Sequence, residues 1–181
     1  MKKITEQREL LVQIVRCIHL KRELSKVNPD PTLYFWRLMY GGLLDLAILN
    51  WTKIFGSNAE PTHWKGIVDD DHHEAFRSDL LSSSGLTENE FSEYWKDMKT
   101  YRDEAVAHHA DSPSFTHYPK LDVALKSCYF YYGFVIKKAR ELGETKYPDS
   151  LEEYCKGFAS QTSAVAKLAL EATAHCIEVA R

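Results

Sequence analysis

Apolar residues recur every three to four positions along almost the whole chain, and nowhere does a β-branched run alternate with polar residues between turn signals. Helices are therefore the repeating element that this sequence can build, and the expected fold is an all-α bundle of about five to six helices. A first helix is predicted over 3–27, with Leu10, Leu11, Ile14, Val15 and Ile18 on one face and Asn28-Pro29 as its stop. Asp30 is expected to cap a second helix with Pro31 in its first position, where a missing N–H is harmless. That helix, through Trp36, Met39, Leu43, Leu46 and Ile54 to Gly56, is apolar on several sides and reads as the central core helix. Gly41-Gly42 inside it is either a close-packing point or a kink.

After a loop over 57–68, a short amphipathic helix over 71–83 turns Phe76 and Leu80 inward and ends at Ser84-Gly85. Thr87 with Glu90 forms a capping-box pattern at the head of a fourth helix, whose stripe is Phe91, Tyr94, Trp95, Met98 and Ala105. A fifth carries Leu121, Leu125, Cys128, Tyr132, Val135 and Ala139 and stops at Gly143. Ser150 with Glu153 caps the last, whose stripe of Leu151, Tyr154, Cys155, Phe158, Val165, Leu168 and Ala172 runs nearly to Arg181.

With 181 residues, 44% hydrophobic and 12% aromatic, the chain has enough apolar mass for one core, and a single domain over 1–181 is expected. A net charge of −3 excludes a broad positive field for duplex binding, so any RNA contact must be local. No apolar run approaches the roughly 18 residues of a bilayer span, and Met1-Lys2-Lys3 leads straight into a charged helical pattern. The expectation is a soluble, cytoplasmic protein without a membrane partner. Cys17, Cys128, Cys155 and Cys176 lack any Cys-x-x-Cys spacing, three fall on apolar stripes, and reduced buried thiols are expected. Asp69-Asp70-Asp71-His72-His73-Glu74 has the residue types of a metal site. Consecutive residues point in different directions, however, so the acidic triplet reads as the negative first turn of a helix and no metal is expected. No Gly-rich phosphate loop is present, and no cofactor is expected. Tyr129, Tyr131 and Tyr132 read as core packing in preference to a base-stacking platform.

The stretch that carries chemistry is Tyr101-Arg102-Asp103-Glu104-Ala105-Val106-Ala107-His108-His109, at the end of the fourth helix. An arginine supplies forked donors for a phosphate, and a histidine titrates near neutrality, so the pair combines phosphate binding with proton transfer. At about 100° per residue, Arg102 aligns with Phe91, Trp95 and His109, whereas His108 lies roughly 120° away. Either the last turn loosens before Asp111-Ser112-Pro113, or residues from two copies meet. Bland alternatives are an ordinary ion pair at Arg102 and an i,i+4 surface pair between Glu104 and His108. The segment is also acidic, with Glu88, Glu90, Glu93, Asp97, Asp103, Glu104 and Asp111 outnumbering Lys96, Lys99 and Arg102, so a polyanion is repelled unless other helices supply cations.

Arg-Asp, small apolar residues and then Ala-His, closing a helix in an all-α chain, resembles the signature of the HEPN superfamily. The aromatic helix beginning Leu33-Tyr34-Phe35-Trp36, with Asp45 one turn past the glycine pair, followed by a short helix and the motif helix, looks like the AbiU-like HEPN proteins of bacterial phage-defence and toxin systems. The resemblance covers about residues 30–140. It implies a metal-independent endoribonuclease acting on RNA and not DNA, with Arg102 and His108 catalytic, Asp103 orienting one of them, and His109 a rival for the imidazole role. It further implies a homodimer whose motif helices face one another and, for a toxin, an antitoxin partner. The alternative is a non-catalytic HEPN module that binds nucleotide or RNA, or serves as a dimeric scaffold.

Overall fold

The computed structural model describes residues 1–28, 31–107, 114 and 117–176. Six α-helices follow one another: α1 (Lys2–Val27), α2 (Tyr34–Phe55), α3 (His73–Ser84), α4 (Glu88–Tyr101), α5 (Leu121–Glu141) and α6 (Leu151–Thr173), with no strand among the described residues. The all-α expectation is met. Short 3₁₀ turns at Trp64–Gly66 and Asp70–His72 punctuate the α2–α3 connection, and a π-helical turn at Arg102–Ala107 continues α4.

The main core lies where α1 packs on α2, α5 and α6. Leu11, Ile14, Ile18, Ile48, Trp51, Ile54, Tyr131 and Val135 are wholly or almost wholly removed from solvent there. Buried polar groups are tied off inside it: the Tyr131 hydroxyl donates to Gln7 Oε1, Gln7 Nε2 donates to the His63 carbonyl at 3.1 Å, and Trp51 Nε1 donates to Ser127 Oγ at 2.9 Å. Such pairing is what makes interior amides and hydroxyls tolerable. Tyr131 and Tyr132 are fully buried, and the half-buried Tyr129 packs against the core with its hydroxyl 2.8 Å from His19 Nε2, so the tyrosine run packs as core.

Three sequence expectations shift. The second helix starts at Tyr34, with Leu33 in extended geometry before it, so Pro31 lies outside the helix; Asp30 is outside the described residues. Packing fixes this start, since Trp36 is buried against Leu24 and Ala166 and its indole N–H donates to Thr173 Oγ1 at 3.1 Å. Gly41-Gly42 is neither a close-packing point nor a break: a Cβ at either would meet nothing within 4 Å, and the helix runs through both. On α6 the buried row changes after Cys155 to Thr162 and Ala166, leaving Val165 and Leu168 exposed, and the described helix ends at Thr173. Gly85 closes α3 with φ 75°, a left-handed conformation suited to glycine, while its N–H and that of Leu86 reach back to the last carbonyls.

Candidate functional site

The motif helix is anchored at both ends. At its head the capping box is complete: Thr87 Oγ1 accepts from Glu90 N, and Glu90 Oε2 accepts from Thr87 N at 2.8 Å. Along its inner face Trp95 Nε1 donates to the Phe55 carbonyl at 2.7 Å, and Tyr94 Oη accepts from Ala124 N, satisfying a first-turn donor of α5. Met98 and Tyr101 are buried where the helix ends. The Tyr101 hydroxyl donates to Asp45 Oδ1 at 2.7 Å, joining the residue before Arg102 to the acidic residue past the α2 glycine pair. Burial first, and then that bond, push the Tyr101 phenol above its ordinary range, so it stays a donor at neutral pH.

From Arg102 the helix widens. The turn to Ala107 is π-helical and packs on α2, with Ala105 and Val106 resting on the core. A π turn admits an extra residue and re-aims the side chains that follow, and such turns often mark functional sites. Regular-helix alignment of Arg102 therefore does not hold beyond this point, and the residues directly before Asp111-Ser112-Pro113 lie outside the described residues. The Arg102 side chain is 19% exposed, with Nε 2.5 Å from Asp103 Oδ1. That contact is an ion pair without hydrogen-bond alignment, since the buried Nε–H has no aligned acceptor. Asp103 is about half exposed. The Glu104 carboxylate accepts from Ser114 N at 2.5 Å and Ser114 Oγ at 2.7 Å. His108 and His109, and with them the Glu104–His108 pair, lie outside the described residues.

Beside this turn opens a cavity of about 740 Å³ between α1, α2 and the segment leading into α5. Its wall includes Lys21, Arg22, Lys26, Arg37 and Lys120 against two carboxylates, Asp45 and Asp122. Arg22 pairs with Asp122 at 2.7 Å and Lys26 with Glu23 at 2.5 Å. Among the described residues, Lys21, Arg37 and Lys120 have no carboxylate partner. The cations that the acidic motif helix lacks are therefore supplied by its neighbours. Sequence reasoning missed them because they come from three elements; the one local signal was the basic cluster Lys21, Arg22 and Lys26 at the end of α1. Tyr101 and Tyr118 close the far wall edge to face, 5.8 Å between ring centroids.

No family model, curated protein or solved structure matches this chain.

Elsewhere, the acidic triplet leads into α3 through the 3₁₀ turn, where His72 Nδ1 lies 2.9 Å from Asp71 and His73 Nε2 3.0 Å from the Val68 carbonyl. No group of three or more metal-ligating side chains occurs among the described residues. No described helix is long and apolar enough to cross a membrane. Cys17, Cys128 and Cys155 are buried free thiols, but Cys176 is exposed: it follows the last turn of α6, beyond the row that packs on α1. His63 is buried against Trp64, and burial, then the nearby Lys65, His73 and Arg77, lower its imidazole pKa to about 4.

Proposed function

We propose that the chain is a metal-independent endoribonuclease of the HEPN type, acting in the cytoplasm as a homodimer in phage defence or in a toxin–antitoxin pair. The observation that carries this reading is the Arg102–Asp103 ion pair on a π turn beside a cation-rich cleft, in a segment whose Arg-Asp to Ala-His run resembles the family signature. An RNA 2'-hydroxyl attacks the adjacent phosphorus, the 5'-oxygen leaves, and the products carry a 2',3'-cyclic phosphate and a 5'-hydroxyl. His108 or His109 takes the 2'-hydroxyl proton, and the imidazole of the second copy delivers one to the leaving oxygen. Arg102 stabilises the charge growing on the non-bridging oxygens, with Asp103 holding its guanidinium in place. DNA lacks the attacking hydroxyl and is not a substrate.

The test is incubation of the purified protein with single-stranded and structured RNA in EDTA, beside Arg102→Ala. Cyclic-phosphate ends that vanish in the variant are expected; cleavage that persists in it removes Arg102 from the chemistry. A second reading, a non-catalytic nucleotide- or RNA-binding module or dimeric scaffold, is favoured by the largely buried position of Arg102 and by the lock of Tyr101 onto Asp45, both of which suit a fold-holding role. Parent protein that binds RNA but leaves it intact selects that reading.

A further inference from the structure

We propose that the cleft between α1, α2 and the α5 entry is a binding site for one nucleotide unit of single-stranded RNA, its phosphate held by Lys21, Arg37 and Lys120 and its base laid on Tyr118. The choice of RNA rests on the ribonuclease reading; the cleft itself does not. A volume of about 740 Å³ is within the usual range for sites that take a nucleotide-sized ligand. The three cations lack carboxylate partners among the described residues, so an anion entering the cleft displaces no ion pair. Arg37 and Lys120 are exposed at the opening, while Lys21 is half-buried with its ammonium over the Tyr40 ring, 5.6 Å from the centroid. Burial lowers the Lys21 pKa, the mark of an ammonium short of solvent that gains from an anion beside it.

Two features separate a nucleotide from a bare anion. Tyr118 is 69% exposed at the cleft wall, an aromatic face of the kind on which unpaired bases stack. Asp45 also lines the cleft, and one of its oxygens is occupied by Tyr101. A carboxylate repels a simple phosphate, but it accepts from the exocyclic amines of a base. Cations, an exposed ring and an acceptor together match a nucleotide's phosphate, the face of its base and the amine on the base edge. Double-stranded RNA presents no free base face to Tyr118 and is excluded on that ground.

The probe is a fluorescein-labelled single-stranded oligoribonucleotide made uncleavable by 2'-O-methyl groups, followed by fluorescence anisotropy. The parent is compared with Arg37→Glu/Lys120→Glu, Tyr118→Ala and, as a charge-reversal control on the exposed face of α6 away from the cleft, Lys167→Glu, after thermal melts verify that each is folded. Binding is expected to weaken about tenfold or more in the cleft charge-reversal and tyrosine variants, and to change by less than about twofold in Lys167→Glu. The cleft charge-reversal variant should also flatten the dependence of affinity on salt, a change that simple loss of packing does not produce. Parent-like affinity and salt slope in the cleft variants, or a parent that does not bind the probe, overturns the proposal. Cleft-dependent binding without cleavage of unmodified RNA leaves the site standing and sinks the ribonuclease reading; cleavage that is indifferent to the cleft variants does the reverse.

Discussion

Arg102 belongs either to a phosphate site or to the fold, and a lysine at that position separates the two. Lysine keeps the charge that Asp103 pairs with but loses the planar fork needed for bidentate phosphate contact. Arg102→Lys is expected to stay folded, within about 1 kcal/mol of the parent by denaturant melts, yet to be severely impaired in RNA cleavage. Unfolding of the variant, with a parent that cuts no RNA, would assign Arg102 to the fold. For the imidazole, the family pattern favours His108 and regular-helix alignment favoured His109. His108→Ala should lower the cleavage rate by about a hundredfold or more and His109→Ala far less, and the reverse ranking would place the proton-transfer role at His109. The cysteines were only partly legible: apolar spacing identifies a buried stripe, but it cannot show where the neighbouring helix ends, and so Cys176 was misplaced. Thiol labelling of the native protein should modify Cys176 fast and Cys17, Cys128 and Cys155 slowly. Burial pushes the Cys17 and Cys155 thiols up to about 11, which leaves little thiolate at neutral pH. His63 brings a pH dependence with a definite sign. Its folded pKa, about 4, lies below the ordinary histidine value, so the unfolded chain binds the proton more readily. The stability that it contributes is complete above about pH 6.5 and falls as the pH drops toward 4, by up to about 2 kcal/mol at pH 5. His63→Asn can still accept from the Lys65 N–H, and should flatten the melting temperature over that window; an unchanged acid slope would assign it to other groups.

Among the elements, those whose signals are local were read well and those set by neighbours were not. Thr87 with Glu90 announced α4, and both bonds of the box are formed; Ser150 accepts from Glu153 N at the head of α6. Removing the Thr87 hydroxyl should cost about 1 kcal/mol, and a melting temperature of Thr87→Ala lower by roughly 2–4 °C would measure it. No change would mean that Trp95, Tyr94 and Tyr101, tied to α2 and α5, hold the helix without its cap. The start of α2 follows the packing of Trp36 instead of Pro31, and on α6 the small Ala166 is buried with Leu24 and Trp36 while Val165 and Leu168 of the expected stripe are exposed. Periodicity locates an apolar row but does not choose between adjacent rows when a small residue permits closer approach. The π turn leaves no mark in the apolar spacing: one extra residue in a turn leaves the composition unchanged, and Ala105 and Val106 still pack against the core.

At the scale of the whole molecule, the all-α class followed from periodicity, whereas the cleft did not, because its cations, carboxylate and tyrosines come from four stretches of chain that only packing unites. The same packing alters the case for a dimer. An arginine in the middle of an apolar face calls for a partner surface to complete it, but the π turn sets Arg102 against Asp103 of its own chain, with part of the side chain still exposed. Burial of that charge therefore requires no second copy. The requirement comes from the chemistry, since separate acid and base imidazoles across one phosphate are most simply supplied by two subunits. A composite site makes activity depend on assembly. Light scattering at tens of micromolar should give a dimer, and cleavage per chain should fall as the protein is diluted through the range where dimers dissociate, with Arg102→Lys dissociating at the same concentration as the parent. A monomer at every concentration with undiminished cleavage per chain would put the whole site within one subunit, and the second imidazole would then have to come from His109 of the same chain.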